Sequence, residues 1–218
     1  MKPPRIQRIP APLLKKFAEG CYVDSPVYFN APSWVRWLNW AKLDSLLALG
    51  GGGEGRRVLD FACGNGVMLP TWSTKFPGAV GIDIHLTAAK RAQEFYALRN
   101  INLTKTDGSF LPFSSGSFDL VFSASVLEHF AELPNPLREI RRVLRVGGQM
   151  LFLCPNENRW YDWGRRIVGY KKPLDHYHTA DEVIAVVRNF FRVEEISCFP
   201  SWVPSSLALY KMGKALKC

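Results

Sequence analysis

The stretch Val58-Leu-Asp-Phe-Ala-Cys-Gly-Asn-Gly66 decides the fold. A short apolar run enters a tight turn with two glycines, and a helical stretch around Leu69–Lys75 follows. Gly64 and Gly66 permit a sharp reversal and let a ligand approach the backbone with no Cβ in the way. The same rhythm repeats downstream. Apolar runs at Val80–Ile84, Leu103–Thr106, Leu120–Ser123, Met150–Cys154 and Arg192–Ser197 alternate with helical stretches at Ala88–Arg99, Val126–Phe130, Pro136–Arg145 and Ala180–Phe190. Strands separated by helices imply right-handed crossovers and a mainly parallel sheet with helices on both faces, an α/β fold. Ligands of such sheets bind beyond the carboxyl ends of the strands, beside the switch in strand order.

The residues around the glycines narrow the ligand. A dinucleotide fingerprint places a third glycine where Leu69 stands, and a phosphate loop needs Gly-Lys-Ser/Thr, which is absent. Instead, Asp60 puts a carboxylate close to the turn, suited to an ammonium group. Asp83 ends the second strand, where a carboxylate accepts both hydroxyls of a ribose. Asp107 ends the third, within reach of an adenine amino group. One such acid reads equally well as a turn or cap residue. Three in this order, each just past an apolar strand, do not.

Val58–Gly66, Gly81–Ile84, Thr106–Phe113, Phe118–Phe130 and Leu137–Gly148 resemble the successive motifs of class I S-adenosylmethionine-dependent methyltransferases. The subgroup they are most similar to is type 11, which includes ubiquinone and menaquinone C-methyltransferases and many sugar, lipid and natural-product methyltransferases. Its first motif usually reads V-L-D-x-G-C-G-x-G, its third ends D-x-x-x-L-P-F, and a later pair reads D-L-V…V-L-E-H and E-x-x-R-V-L-x-x-G-G. The resemblance covers residues 57–155. It implies a Rossmann-like fold and S-adenosylmethionine as cofactor. The cofactor-binding set it implies is Asp60, Ala62, Cys63, Gly64, Asn65, Gly66, Asp83, Ile84, Asp107, Gly108, Ser123, Ala124 and Ser125. Gly64 and Gly66 flank the methionine part, Asp60 lies near its amino group, Asp83 holds the ribose, and Asp107 with the Gly108 amide addresses adenine. One departure is Ala62, where the motif has glycine; a single methyl group implies tighter packing there and retained binding.

The resemblance also implies transfer of the methyl group to oxygen or carbon of a small-molecule or lipid- or glycan-linked acceptor. In-line displacement at a sulfonium methyl depends chiefly on alignment, and a general base is needed only where the acceptor must lose a proton. His129, His176 and His178 are the candidates. Glu128 ranks below them because Ser125-x-x-Glu128, like Thr179-x-x-Glu182, reads as a capping box. Each histidine reads otherwise as a packing or loop-anchoring residue. An RNA methyltransferase and a non-catalytic cofactor-binding module are the alternatives. Enzymes that methylate exocyclic base amines carry Asn/Asp-Pro-Pro-aromatic after the fourth strand; Phe122-Ser-Ala-Ser125 stands here, which argues against that nucleic-acid class.

The rest of the chain sets boundaries. Hydrophobic residues make up 47% and charged residues 22% of 218, an ordinary globular profile. No apolar run reaches the roughly 18 residues of a transmembrane helix, and the N-terminus lacks the apolar core of a secretory signal, so the expected location is cytoplasmic. Five scattered cysteines with no C-x-x-C pair argue against a disulfide framework and against a zinc site, so no metal is expected. The net charge of +9, concentrated near Lys2–Lys16, in Arg138, Arg141, Arg142 and Arg145, and in the tail, favours an anionic acceptor or lipid surface if it is more than solvated helix faces.

Residues 1–52 read as an N-terminal arm and helical lid and residues 53–218 as the cofactor-binding domain. Pro3, Pro4, Pro10 and Pro12 predict an extended arm. A helix capped by Ser33 is predicted to bury a stripe of Trp34, Trp37, Leu38, Ala41 and Leu46. Asn135-Pro136 starts another helix and Gly147-Gly148 stops it. The aromatic and basic run Arg159–Arg166 is the expected source of acceptor specificity, its tryptophans suited to a membrane interface. Leu207–Lys217 is expected to form a short amphipathic helix that docks on the domain or on anionic lipid.

Overall fold

The computed structural model describes residues 5–21, 26–51, 55–167, 169–170 and 174–218; Met1–Pro4, Tyr22 and the loop glycines Gly52 and Gly53 lie outside them. Seven strands form one sheet: β1 (Val58–Phe61), β2 (Val80–Asp83), β3 (Asn102–Lys105), β4 (Phe118–Ala124), β5 (Leu144–Pro155), β6 (Arg192–Phe199) and β7 (Tyr210–Leu216). Their order is β3-β2-β1-β4-β5-β7-β6. The first five strands pair in parallel, and β7 runs antiparallel between β5 and β6. The order reverses between β1 and β4, where Phe61 is level with Ser123.

Burial follows the strand period of two. Val58, Leu120, Phe122, Leu151 and Leu153 join the core under α1 (Ala11–Ala18), α2 (Ser33–Leu49), α3 (Leu69–Lys75) and α4 (Thr87–Phe95). Their neighbours Leu59, Phe61, Val121, Met150 and Phe152 face the opposite way, against α5 (Pro134–Val143) and α7 (Ala180–Val187). The central strands therefore carry near-continuous apolar runs, as strands covered on both faces must.

Several expectations give way. The arm is helical from Ala11: Pro10 precedes the helix and Pro12 sits in its first turn, where a missing N–H removes no hydrogen bond. Leu14, Phe17 and Ala18 are buried. In α2, Pro32 and not Ser33 is the cap residue, and Trp34 and Trp37 are more than half exposed; Val35, Trp40, Leu43, Leu46 and Leu47 make the buried face. Helix α5 begins at Pro134 and ends at Val143, so Gly147 and Gly148 lie within β5 and stop nothing. The fourth-strand helix is a 3-10 turn, Leu127–His129, and a further helix, α6, spans Arg159–Ile167.

The tail is a strand and not an amphipathic helix. Tyr210, Met212 and Ala215 are buried, and β7 completes hydrogen-bonding edges on both β5 and β6 that a helix would leave open. The central arginines are engaged with the fold as well. Arg142 binds Glu139 and the carbonyls of Leu111 and Phe113, Arg141 binds the Phe190 carbonyl, and Arg145 pairs with Asp119. A Cβ on Gly213 would stand 2.4 Å from the ring of Phe152, which is itself only 1% exposed. Gly213→Ala is therefore expected to lower unfolding free energy by about 1–3 kcal/mol in a urea titration; an unchanged midpoint would mean that β7 does not pack as described.

Candidate active site

The backbone leaves the carboxyl ends of the three central strands through unusual conformations. Ala62 after β1, Ser125 after β4 and Glu157 after β5 all have left-handed backbones, with φ of 61°, 57° and 50°. Each costs about 1–3 kcal/mol for a non-glycine residue, and such strain collects at functional edges. The value at Ala62 explains why related motifs prefer glycine there.

The two glycines of the turn do different work. A Cβ on Gly64 would meet nothing within 4 Å, so this position opens onto free space. A Cβ on Gly66 would lie 3.0 Å from the Ala89 backbone, so this glycine lets the turn pack on α4. Asp83 ties the turn to β2: its Oδ2 accepts the Gly64 N–H at 2.7 Å and its Oδ1 the His85 N–H at 2.9 Å. A carboxylate offers about four acceptor sites, so both oxygens can still receive hydroxyls. The Cys63 N–H donates to the Ile82 carbonyl, locking β1's exit to β2.

Asp60 is 4% exposed, and its Oδ2 accepts the Trp72 indole N–H at 2.7 Å. Burial pushes its pKa up to about 7; the indole bond opposes this and the Asp83 charge adds to it. Tyr28, from the N-terminal segment, is close enough that Asp60 helps raise its hydroxyl pKa, after burial and Tyr210. Nearby buried polar atoms lack hydrogen-bond partners among the described residues: Asn65 Nδ2, Ser123 Oγ and Ser125 Oγ. Ala124 and Ile84 are partly or largely open, and Asp107 is exposed with Oδ1 accepting the Ser109 N–H. The Gly108 amide donates to Thr106 Oγ1, and its Cα packs against Phe61 and Phe130.

The expected capping box at Ser125 does not form. Val126 precedes the 3-10 turn without a side-chain cap, and neither Ser125 Oγ nor either Glu128 oxygen finds a hydrogen-bond partner among the described residues. The left-handed backbone of Ser125 turns its side chain off the path a cap requires. Thr179 and Glu182 do form theirs. Glu128 is 1% exposed, and burial pushes its pKa up to about 7 against the smaller pulls of its own amide, His129, Cys154 and Lys42.

His129 and His176 come together, their rings edge-to-face with centroids 4.6 Å apart. Asp175 holds His129 Nδ1 at 2.9 Å, and Glu157 holds His176 Nδ1 at 2.8 Å. Burial works against ionisation of Asp175, but the His129 bond and charge hold its pKa below the ordinary value. The Tyr177 N–H donates to the Glu128 carbonyl, stitching this loop to the 3-10 turn. His178 stands apart, with Nε2 3.0 Å from the Phe130 carbonyl. Trp72 and Glu157, which the sequence reading passed over, are the partners of Asp60 and His176. The indole could have been sought on the helix after the turn; nothing local marks Glu157.

Residues 59–152 match the family model described as a methyltransferase domain. That segment, less than half of the chain, is similar to a methyltransferase domain. Over 100 residues it is 33% identical to a malonyl-[acyl-carrier protein] O-methyltransferase of Legionella pneumophila, covering 44% of this chain and 35% of that one. Over 103 residues it is 35% identical to a demethylmenaquinone methyltransferase of Thermus thermophilus, covering 45% and 46%. The matches thus span less than half the length of these curated relatives. Among solved structures, a SAM-dependent methyltransferase from Aquifex aeolicus superposes with a TM-score of 0.67 at 18% identity, covering 97% of this chain and all of that one. The [4+2]-cyclase SpnF superposes at 0.68 and 18%, covering 94% and 91%. These two likenesses establish the Rossmann-like fold.

S-adenosylmethionine, the cofactor of this domain type, fits the residues present. Carboxylates end β1 and β2 and follow β3, buried polar atoms await partners, and open space lies beside Gly64. Asp60 keeps its proton in the folded chain to about pH 7 but ionises near pH 4 when unfolded, so stability falls as pH rises between those values. Asp60→Asn removes that share. Its urea midpoint is expected to decline less than that of wild type from about pH 5 to 8 and to lie above it at the upper end; parallel declines would show that Asp60 ionises normally.

Proposed function

We propose that this chain transfers the methyl group of S-adenosylmethionine to oxygen or carbon of a small-molecule or lipid-linked acceptor. The observation that carries the reading is the carboxylate set at the β1/β4 switch: Asp60 braced by Trp72, Asp83 braced by the turn it faces, and Asp107 beyond β3. On this reading Asp60 receives the cofactor's ammonium, Asp83 its ribose hydroxyls, and Asp107 its adenine edge. Asn65, Ser123 and Ser125 supply the remaining polar contacts, with Ala62, Cys63, Gly64, Gly66, Ile84, Gly108 and Ala124 shaping the wall. Bound cofactor supplies an electrophilic methyl group. Tyr28 and the N-terminal helices act as the lid that keeps water from it.

Acceptor chemistry is assigned to the other side of the switch. His129, oriented by Asp175, and His176, oriented by Glu157, position the acceptor's nucleophilic atom. His178 positions their loop through Phe130. The substrates named for the relatives, malonyl-acyl carrier protein and demethylmenaquinone, support a carboxylate, hydroxyl or quinol-like acceptor. Lipid-linked acceptors call for contact with a membrane surface. No described helix is long and apolar enough to cross a membrane. Helix α6, however, exposes Trp160, Trp163 and Ile167 on one side with Arg159 and Arg166 beside them, a face suited to the interface of an anionic bilayer. We place the protein in the cytoplasm on the strength of its free cysteines.

Calorimetric titration with S-adenosylmethionine tests the cofactor assignment. Wild type is expected to bind, and Asp83→Asn, which keeps the shape but loses the charge, to bind roughly 10- to 100-fold more weakly. No heat of binding from folded wild type would sink the assignment. Co-sedimentation with phosphatidylglycerol vesicles tests the surface: Trp160→Ala/Trp163→Ala is expected to cut the bound fraction several-fold, and equal binding would remove α6 from the membrane contact.

A further inference from the structure

Glu128, His129 and His176 each present a potential ligand atom, and these atoms lie within 4.8 Å of one another. Three separate loops build the cluster. Glu128 and His129 follow β4, His176 precedes α7, and Glu157, which follows β5, holds His176 in place. Its parts have the chemistry of a cation site. A carboxylate only accepts hydrogen bonds, so the bonds that His129 and His176 donate to Asp175 and Glu157 put a proton on each Nδ1, and in the neutral rings the other nitrogen carries a lone pair. Metal-binding histidines are oriented in this way by an outer carboxylate. Glu128 adds a carboxyl group 1% exposed that makes no hydrogen bond of ordinary geometry to the described residues, with only its own amide and the Cys154 thiol set against it. The Lys42 charge acts on it more weakly than that of His129, and the Lys42 ammonium lies over the Tyr210 ring, 4.0 Å from the centroid.

We propose that Glu128, His129 and His176 bind a divalent transition-metal ion, the two rings through the nitrogens that their carboxylate partners leave free. Two imidazoles and one carboxylate suit zinc, manganese or ferrous iron and leave coordination positions open. At the 4.8 Å limit an ion centred among three donors would stand about 2.8 Å from each, so each donor need move inward by less than about 1 Å to reach bonding distance. The left-handed backbone of Glu157 is then the cost of aiming His176 at the ion. The ion's role, though not its binding, rests on the methyl-transfer reading: an acceptor hydroxyl or enol on the open position gives its proton to solvent more readily. Its oxygen then bonds to the methyl carbon as the sulfur–methyl bond breaks, the electron pair staying on sulfur.

The test uses the full chain freed of metal by chelation and titrated with Zn2+ by calorimetry and with Co2+ by absorption. One equivalent is expected, with a cobalt spectrum free of the thiolate charge-transfer band that the cysteines would produce. His129→Ala, His176→Asn and the near-isosteric Glu128→Gln are each expected to weaken binding at least 10-fold, and Glu157→Gln to weaken it by a smaller factor. S-adenosylmethionine affinity of the same proteins should stay within about twofold of wild type, which separates failure of this site from failure of the cofactor site and reports correct folding. Absence of stoichiometric binding, affinity unchanged in the His129→Ala/His176→Asn double variant, or a thiolate band lost in Cys154→Ser would each overturn the proposal.

Discussion

Two parallel strands, β1 and β4, lie side by side while the chain leaves their carboxyl ends toward different neighbours. Connections that diverge in this way leave a crevice whose backbone and side-chain polar groups must be satisfied by turns or by a ligand. The structure spends left-handed conformations at Ala62 and Ser125 to make both exits within one or two residues. It spends the Asp83 carboxylate to hold the first exit closed against β2. One acid of the cofactor set and two members of the His129 cluster hang from these exits. Asp60 is the penultimate residue of β1, and Glu128 and His129 follow the turn after β4.

Two buried acids flank that gap, and burial drives the pKa of each up to about 7. Trp72 satisfies one oxygen of Asp60, whereas Glu128 has only its own amide and the Cys154 thiol against it among the described residues. A carboxyl group kept out of water without a counter-charge lowers stability once it ionises, so each is a standing demand for a cation. The two proposals answer the two demands separately, with a cofactor ammonium at Asp60 and a metal ion at Glu128. They also divide the site by role. On those proposals one side of the switch would hold the methyl donor, and the other would prepare the acceptor.

What surrounds this centre is more individual. A fold shared with both a methyltransferase and a [4+2]-cyclase fixes neither substrate nor reaction. Here the individual parts are the N-terminal helices, which share a hydrophobic core with the sheet, and α6 with its exposed tryptophans. Arg165 illustrates how the second part serves the first. It sits on α6 yet is largely buried, paired with Glu157 and Asp162, so the helix and the His176 support are mechanically one unit. Any acceptor that presses on α6 acts on the same glutamate that orients the histidine.

Local pattern alone located the first six strands, the two-glycine turn and the carboxylates near the strand ends, because each depends on neighbours within a few residues: apolar runs of strand length, glycines where the backbone must reverse, a carboxylate at a strand end. Val58–Phe61 and Leu69–Lys75 have the limits their sequence predicts for that reason. The failures share a different cause. Leu207–Lys217 carries an ambiguous period, and only the open edges of β5 and β6 make part of it a strand. Ser125-x-x-Glu128 has the spacing of a capping box, and only the turn demanded at the end of β4 prevents it. His129, His176, Asp175 and Glu157 span segments that meet in space after three strands are in register. Spacing along the chain holds no record of that meeting, so tertiary structure alone assembled the cluster and buried Glu128 beside it.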